Sequence, residues 1–523
     1  MQMVKKDILL FSLILLLSFL LFLPSFQLAL FGDDWLTLWR YFTNLGPNSS
    51  GKWNHVSYFF TSYGPQDILM GLLQKIYGYE STYYYLTSYA LRVSAAFSLF
   101  PLMVYLTNRR SAAYLSIAFF LITTTGIETT NWVFNMPSYI AIIFLNLFFY
   151  YFFVSRSNPK KIILSAFFFF LALIAQPIRM HGLLPTIFLL EISWFIQTKK
   201  VNFFKKASLR LSIFTTITVA LVFLGLGRSP IITPSNLLTQ NINQFSKHLE
   251  ENGFQIFFNP LITLSNTIIP SDVLNLIFSP TESSKLLAFI GLLLITVIVI
   301  LLIRFYQDLN FINAIILAII WSVFSFILVW WREPYQFFMT THRYLIVSAV
   351  GISILLGTLI SLKKNSGLKT VIIIITSIIF ILHIFSTRNY LNTAYSTHNQ
   401  KISQKIWSAI PYIPEVGKNN KPLVFYFLGD GTNEAILHDV ITFGFPTHMG
   451  LIYNISEEDK LPITASEAKE LISAAIDGKS VAPYNRPKGA VPIERIYAFQ
   501  LSGNDTLINI TEVARKRLTE LKK

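Results

Sequence analysis

The fold is decided by the stretch "LALFGDDWLTLWRYF" at positions 28–42, which continues a long apolar run over positions 8–31. Two adjacent carboxylates, Asp33 and Asp34, stand where a hydrophobic helix leaves the membrane. Apolar and aromatic residues follow them at helical spacing: Trp35, Leu38, Trp39 and Phe42. An ionisable group at a membrane boundary is costly to desolvate and is therefore a candidate for function. The competing interpretation is a helix end whose carboxylates simply face water.

The composition indicates an integral membrane protein. Of the 523 residues, 53% are hydrophobic and only 13% are charged, and the mean hydropathy is +0.53. A soluble domain carries about 25% charged residues. Cysteine is absent, which excludes disulfides, thiolate metal sites and a cysteine nucleophile.

The net charge of +15 does not indicate a nucleic-acid partner. Residues 1–399 hold 27 Lys/Arg and 13 Asp/Glu, whereas residues 400–523 hold 15 and 14. The basic excess lies in short loops between apolar segments, which is the pattern that sets membrane topology. A polyanion-binding surface would instead gather basic residues on one face.

Eleven apolar segments are long enough to span about 30 Å of hydrocarbon. They predict a mainly α, polytopic membrane protein with about eleven transmembrane helices. The segments lie near 8–31, 83–106, 111–127, 134–154, 161–177, 182–198, 208–227, 285–304, 311–330, 343–361 and 369–387.

The basic residues predict the orientation of these segments. If the N-terminus is cytoplasmic, every cytoplasmic loop is rich in Lys and Arg, and the opposite short loops carry few. The cytoplasmic basic residues are Lys5, Lys6, Arg109, Arg110, Arg156, Lys160, Lys161, Lys199, Lys200, Lys205, Lys206, Arg210, Arg304, Lys363, Lys364 and Lys369. The first segment has no small-residue cleavage site after it, so it is interpreted as a retained anchor in the plasma membrane.

Two long segments fall on the predicted outer side of the transmembrane module 1–387. The first outer loop, 32–82, contains the stretches "DWLTLWRYF" and "QDILMGLLQKIYG", whose periodicity predicts helices lying in the membrane interface. The outer segment 228–284 is polar and Asn-rich, and it is expected to contain short surface helices.

The composition changes after residue 388 and predicts a small extracytoplasmic α/β domain over 388–523. The stretch "PLVFYFL" predicts a buried strand, and "ERIYAFQL" with "TLINIT" predicts a strand pair across the turn "SGND". The stretches "NEAILHDVI", "TASEAKELISAAIDG" and "TEVARKRLTELKK" predict helices.

Basic residues on the predicted outer side are candidates for binding an anionic substrate. They cluster in the turns "QPIRMHG" and "WREPYQFFMTTHRY" and at the start of the second span. The candidates for substrate binding are Arg92, Arg179, His181, Arg332, His342 and Arg343. Structural alternatives remain for several of them, namely snorkelling arginines, a headgroup anchor at Arg92, a satisfied His181 and an internal Arg332–Glu333 ion pair.

The sequence supports neither a cofactor nor a metal. The stretch "FLGDGTN" at 427–433 follows a strand, but it lacks the glycine spacing and the lysine of a nucleotide-binding loop. The scattered histidines show no i, i+4 pair that would indicate a metal site.

Four stretches resemble the GT-C glycosyltransferases, in the group of protein O-mannosyltransferases and aminoarabinose transferases, which use polyprenyl-phosphate sugars. "FGDDW" resembles the acidic pair in the first outer loop of that family. The other three are "YALRVSAAFSLFPLMVYLTNRRSAAYLSIAFFLITTT", "WVFNMPSYIAIIFLNLFFYYF" and "ALIAQPIRMHGLLPTIFLLE". The resemblance covers about residues 8–200 and does not extend to 400–523.

The resemblance implies a membrane glycosyltransferase that moves a sugar from a polyprenyl-phosphate donor to an extracytoplasmic glycan, lipid or protein acceptor. Asp33 takes the position of the catalytic acid and is expected to act as the general base. Asp34 either orients Asp33 or the acceptor, or caps the helix expected to begin at Trp35. His181, or else Arg179, stands where the family often has a lysine. Asn135 replaces an acid found in relatives, which argues against a two-acid metal site, and Glu128 is a weak substitute.

Two other functions stay open. A flippase or transporter for lipid-linked glycans would place ionisable residues at mid-span and often shows internal repeats. Here Glu191 and Arg92 are the nearest such residues, and no repeat is found. A polysaccharide polymerase of the cell envelope would use closely related chemistry and is harder to separate by sequence.

Overall fold

The structure is a computed structural model in which the chain is described over fourteen segments. These are residues 5–45, 55–61, 63–180, 182–198, 203–224, 242–243, 245–251, 253–330, 343–362, 366–418, 423–442, 444–477, 490–503 and 506–522. Three of the predicted binding residues, His181, Arg332 and His342, lie outside the described residues.

Most of the described chain is helical. The helices are α1 (Lys5–Phe22), α2 (Asp33–Asn44), α3 (His55–Phe59), α4 (Gly64–Tyr77), α5 (Ser81–Thr107), α6 (Arg110–Ile122), α7 (Glu128–Asn131), α8 (Pro137–Val154), α9 (Ile162–Ala175), α10 (Leu183–Thr198), α11 (Phe203–Phe223), α12 (Asn259–Asn266), α13 (Ser271–Leu274), α14 (Pro280–Arg304), α15 (Leu309–Trp330), α16 (Ile346–Ile360), α17 (Ser366–His398), α18 (Gln400–Ser408), α19 (Thr432–Leu437), α20 (Phe445–Ile452), α21 (Ala468–Ile472) and α22 (Thr511–Lys522).

Each of the eleven apolar segments overlaps one of these helices. Within the described residues, six helices are long and apolar enough to cross a membrane. These six spans are Asp7–Gln27, Ser81–Thr107, Val133–Val154, Pro280–Arg304, Arg343–Ile360 and Lys369–His398. The chain is therefore a multi-pass membrane protein, and the total of eleven spans stays a prediction.

The helices form a buried bundle with a lipid-compatible periphery. The core joins α5, α6, α8 and α16, and its largest fully buried side chains include Trp321, Phe119 and Phe148. By contrast, α14 and α17 expose large aliphatic side chains such as Ile303 and Ile381, at 69% and 65%. Exposed apolar surface of this extent is unfavourable in water and is expected to contact the acyl chains of lipids.

A four-stranded mixed sheet lies in the C-terminal part of the chain. Its strands are β1 (Val424–Leu428), β2 (Ile463–Ala465), β3 (Ile496–Ser502) and β4 (Thr506–Asn509), arranged in the order β2-β1-β3-β4. β1 is parallel to both of its neighbours, and β3 pairs with β4 antiparallel. The predicted strand "PLVFYFL" and the predicted strand pair are confirmed. The start of "TASEAKELISAAIDG" is strand β2, and only its later part is helical.

The last apolar helix runs directly into the C-terminal domain. α17 continues to His398, so the predicted boundary at residue 388 falls inside a helix. The apolar part of the sequence ends near residue 388, but the helix itself continues for about three more turns. Just after this helix, Asn399 pairs with Leu28 in an isolated β-bridge.

The C-terminal domain shares a hydrophobic core with α2. Trp39 packs with buried residues of the domain, and its Nε1 donates a hydrogen bond of 2.8 Å to the carbonyl oxygen of Ile455. Gly444 lies against Gly32 so closely that an added Cβ would come within 2.9 Å of the Gly32 oxygen. The domain therefore packs on the segment that follows the first span.

The outer segment differs in part from its prediction. α12 and α13 are short helices, as expected, but Ile262, Thr263 and Ser265 of α12 are buried. α12 packs on α14, where Gly291 leaves room for the carbonyl oxygen of Leu261. The expectation of surface helices is therefore wrong for α12, because its hydroxyl and amide groups lie inside the protein.

Candidate functional site

The backbone between the first span and α2 is tied to surrounding elements by its carbonyl oxygens. Ser81 Oγ donates to the Leu28 oxygen and Tyr85 Oη to the Ala29 oxygen, each at 2.8 Å. Trp35 Nε1 donates to the Leu30 oxygen at 3.1 Å. These bonds fix the direction from which the chain enters α2.

α2 begins at Asp33, with Gly32 as its N-cap residue. Gly32 has φ +53° and ψ −121°, a conformation that residues with a Cβ rarely adopt. The expectation that Asp34 caps a helix beginning at Trp35 is therefore wrong. Both aspartates already belong to the first helical turn, where carboxylates interact favourably with the helix dipole.

Asp34 is fully buried and joins two parts of the chain. Its Oδ1 accepts the Phe134 backbone N–H at 2.9 Å, and its Oδ2 accepts the Phe31 N–H at 3.2 Å. Burial raises the pKa of Asp34 to about 8, although these two amide hydrogen bonds lower it. With no exposed surface and both oxygens engaged, Asp34 holds the site together.

Asp33 is the partly exposed member of the pair. Burial raises the pKa of Asp33, while the charges of Arg343 and Arg40 lower it and that of Asp67 raises it. The carboxyl group thus lies among two guanidinium groups and a second acid. Raising the pKa of a carboxylate increases its basicity, which favours a role as a general base.

Arg40 and Asp67 form a buried ion pair between α2 and α4. Arg40 Nε and Nη2 donate to the two oxygens of Asp67 at 2.9 and 2.8 Å, and the Tyr58 hydroxyl also donates to Asp67. Burial lowers the pKa of Arg40, but Asp67 raises it more, so the guanidinium stays charged. Its other side packs on Tyr63, 4.6 Å from the ring centroid.

Arg343 approaches Asp33 from the start of the span that contains α16. Its guanidinium carbon lies 4.5 Å from the Trp132 ring centroid and 5.1 Å from that of Tyr344. Its backbone N–H donates to Glu128 Oε2 at 2.9 Å. Burial raises the pKa of Glu128, while Arg343 and Arg179 lower it.

Arg179 is buried, and both terminal nitrogens of its guanidinium group donate hydrogen bonds to other residues of the protein. Its Nη1 donates to the Arg343 carbonyl oxygen at 2.6 Å and to Thr129 Oγ1 at 3.2 Å. Its Nη2 donates to Asn135 Oδ1 at 2.7 Å. Burial lowers the pKa of Arg179 to about 10, so it remains charged at neutral pH. This geometry fixes the backbone of Arg343.

We call these groups the charged cluster: Asp33, Arg40, Asp67, Glu128, Arg179 and Arg343. It brings together the first outer loop, the 128–135 turn, the turn before α10 and the start of the fifth long span, Arg343–Ile360. The sequence predicts all of these on one side of the membrane, and they meet at one end of the bundle. Which side of the membrane that end faces stays a prediction.

Arg92 lies apart from Asp33, inside the helix bundle. It is fully buried and donates to the carbonyl oxygens of Phe120 and Thr123 at 3.0 and 2.7 Å and to Thr130 Oγ1 at 3.0 Å. These contacts tie α5 to the turn after α6. A role for Arg92 in substrate binding stays a prediction.

Over the described ranges, no group of three or more His, Asp or Glu side chains could hold a metal ion. The absence of a metal or cofactor remains a sequence-based prediction. Asn135 serves as an acceptor for Arg179.

The sequence singles out Asp33 and Arg343, whose functional roles stay predictions, but it does not single out Arg40, Asp67 and Tyr58, which lie in the same cluster. A usable signal was present, because Asp67 and Glu80 are the only acids of the first outer loop besides the aspartate pair. An acid and an arginine on two amphipathic helices of one loop could have been paired. Both helices were instead assigned to the membrane interface.

No family model matches the chain, and no curated protein sequence matches it. Solved structures of an oligosaccharyltransferase from Archaeoglobus fulgidus resemble it in outline. The complex with an inhibitory peptide and a dolichol-phosphate is 13% identical, covers 83% of this chain and 64% of its own, and has a TM-score of 0.42. The apo form is 14% identical, with the same coverage and a TM-score of 0.43.

A third structure, tethered to an acceptor peptide with the NVT sequon, is 13% identical, covers 82% and 63% of the two chains, and has a TM-score of 0.40. The present chain thus spans less than two thirds of these proteins. TM-scores this low do not establish a shared fold, and no function follows from the likeness.

Proposed function

We propose that this protein is a membrane glycosyltransferase that moves a sugar from a polyprenyl-phosphate donor to a glycan, lipid or protein acceptor. The single observation that carries the proposal is the environment of Asp33. A partly exposed carboxylate begins α2 at the end of the first span, with the charges of Arg343 and Arg40 acting on it. A donor whose tail stays in the bilayer meets a polar acceptor at this depth.

The reaction needs a base, a positive charge and an exit for the leaving group. The acceptor hydroxyl attacks the anomeric carbon of the donor sugar, and Asp33 takes the hydroxyl proton. The bond between that carbon and the phosphate oxygen breaks, and polyprenyl phosphate leaves. Arg343 stabilises the negative charge that develops on the phosphate.

The remaining members of the charged cluster support these two groups. Arg40 is held by Asp67 and keeps a positive charge beside Asp33. Arg179 and Glu128 hold the backbone of Arg343 through its carbonyl oxygen and its N–H. A site whose groups are fixed before substrate binds avoids the cost of reorganising them during the reaction.

The test measures release of polyprenyl phosphate from a panel of synthetic polyprenyl-phosphate hexoses, pentoses and hexosamines, with the protein in lipid nanodiscs and an extract of envelope glycans, lipids and proteins added to supply the acceptor hydroxyl groups. Wild type should release the lipid phosphate, and Asp33→Asn should lower the rate by about 10²-fold. Glu80→Gln is the matched control, because Glu80 is an exposed acid of the same loop. Equal rates for Asp33→Asn and wild type would contradict the role of Asp33.

A cellular experiment identifies the acceptor class. Deleting the gene and comparing envelope glycans by mass spectrometry should reveal a missing sugar, which wild type restores and Asp33→Asn does not. Accumulation of a complete lipid-linked glycan inside the cell would instead support the flippase alternative.

A further inference from the structure

A carboxylate of the C-terminal domain is shared by two histidines. Asp439 Oδ2 lies 3.3 Å from His398 Nδ1, and its Oδ1 lies 3.2 Å from His438 Nδ1. Burial raises the pKa of Asp439, but hydrogen bonds from the two histidines lower it more, to well below its usual range. Asp439 is therefore an anion at any working pH.

His398 lies at the end of α17, against the segment that leads to Asp33. Its carbonyl oxygen accepts the Ala29 N–H at 2.9 Å. Its ring centroid is 4.4 Å from that of Phe31. The residue is only 4% exposed, and among the described residues its buried Nε2 has no hydrogen-bond partner. The ring is therefore anchored through Nδ1, where Asp439 is the charged partner.

Phe31 connects this histidine to Asp34, the neighbour of Asp33, and to Arg343 of the charged cluster. Its backbone N–H donates to Asp34 Oδ2 at 3.2 Å. Its ring stacks on Trp132 with centroids 5.3 Å apart and planes inclined by 16°. The guanidinium carbon of Arg343 lies 4.5 Å from the centroid of the same indole ring. The contacts thus run without a gap from Asp439 to Arg343.

We infer that Asp439 and His398 are positioning residues that hold Phe31 and, through it, set the orientation of Asp33 and Arg343. The inference rests on the proposed function, since it assigns the C-terminal domain a part in the same transfer reaction. His398 acts through Phe31, and Asp439 acts through His398. A displacement of about 1 Å at a reacting group is enough to slow a reaction by about 10²-fold.

The experiment compares Asp439→Asn, His398→Phe and the double variant with Glu457→Gln. The last is a control, because Glu457 is an exposed acid of the same domain that pairs with Lys460. His398→Phe keeps a ring against Phe31 and loses the bond to Asp439. Asp439→Asn and His398→Phe should each lower kcat by about 10-fold with the donor KM unchanged, and the double variant should be no slower than either.

Hydrogen exchange supplies a readout that does not depend on activity. In Asp439→Asn, the backbone amides of Ala29 and Phe31 should exchange faster, whereas Glu457→Gln should match wild type. A lower thermal midpoint with wild-type kcat and wild-type exchange at these amides would overturn the inference, since the pair would then only stabilise the domain. If wild type transfers no sugar at all, the proposed function fails. The exchange rates of Ala29 and Phe31 then still test whether Asp439 and His398 hold the segment around Phe31.

Discussion

The backbone N–H of Phe134 donates a hydrogen bond of 2.9 Å to Oδ1 of Asp34, one hundred residues earlier in the chain. With the second bond from Phe31, this carboxyl group links the exit of the first span to the turn before α8. Asparagine offers only one acceptor oxygen, so one buried N–H would lose its partner in Asp34→Asn. The expected loss of stability is about 1–3 kcal/mol.

The same carboxyl group should make stability depend on pH. The pKa of Asp34 rises from its usual value near 3.8 to about 8 in the folded protein. Stability from this group is therefore fully present below about pH 4 and is lost as the pH rises through 8. Thermal midpoints at pH 5, 7 and 9 should show Asp34→Asn well below wild type at pH 5 and closer to it at pH 9. A gap that does not change with pH would contradict the assignment.

Asp67→Asn should destabilise the protein more than most single changes. It leaves the guanidinium of Arg40, only 13% exposed, without its carboxylate. Removing one partner of a buried ion pair costs about 3–5 kcal/mol. The double variant Asp67→Asn/Arg40→Met should recover part of this loss, because no unpaired charge remains. Unfolding midpoints of Asp67→Asn, Arg40→Met and the double variant test this, and full additivity of the two changes would refute the pairing.

Arg343 and Arg92 should respond differently to removal. Arg343→Gln is expected to lower turnover by about 10²-fold with little loss of stability, because it removes the charge that we propose to stabilise the leaving phosphate. Arg92→Met leaves the carbonyl oxygens of Phe120 and Thr123 unpaired and should cost about 2 kcal/mol or more. Initial rates and unfolding midpoints measured on both proteins separate the two roles. Normal turnover in Arg343→Gln would remove it from the site.

The absence of cysteine allows a direct test of topology. Tyr412 is 73% exposed in the C-terminal domain, and Ser157 is exposed in a turn at the opposite end of the bundle. A membrane-impermeant maleimide should label Tyr412→Cys in intact cells and Ser157→Cys only after permeabilisation. The reverse labelling would place the charged cluster on the cytoplasmic side.

Local patterns in the sequence were enough to locate the helices. Hydropathy depends only on residues close together in the sequence, and each of the eleven apolar segments overlaps a helix of the structure. The strand pair across "SGND" was recognisable for the same reason. Asp33 could be singled out because a charge at a span boundary is unusual wherever it packs.

The contacts that organise the site are long-range and could not be read in this way. Arg40 and Asp67 lie on different helices, and their amphipathic patterns were equally consistent with the membrane interface. A cap was one of the roles open to Asp34, because aspartate favours that position. The N-cap is instead Gly32, against which Gly444 packs closely, and this contact is a tertiary feature. His398 and Asp439 are joined only by the packing of the C-terminal domain.

The contact between Trp39 and Ile455 also constrains how the protein is made. The first aspartates emerge from the ribosome long before residues 444–455, yet the face of α2 behind them is covered by that later segment. During synthesis the indole of Trp39 lacks this cover until residues 444–455 have been made. A nascent chain that ends before Phe445 can form the ion pair between Arg40 of α2 and Asp67 of α4, but the Trp39 face of α2 is still without its apolar partner.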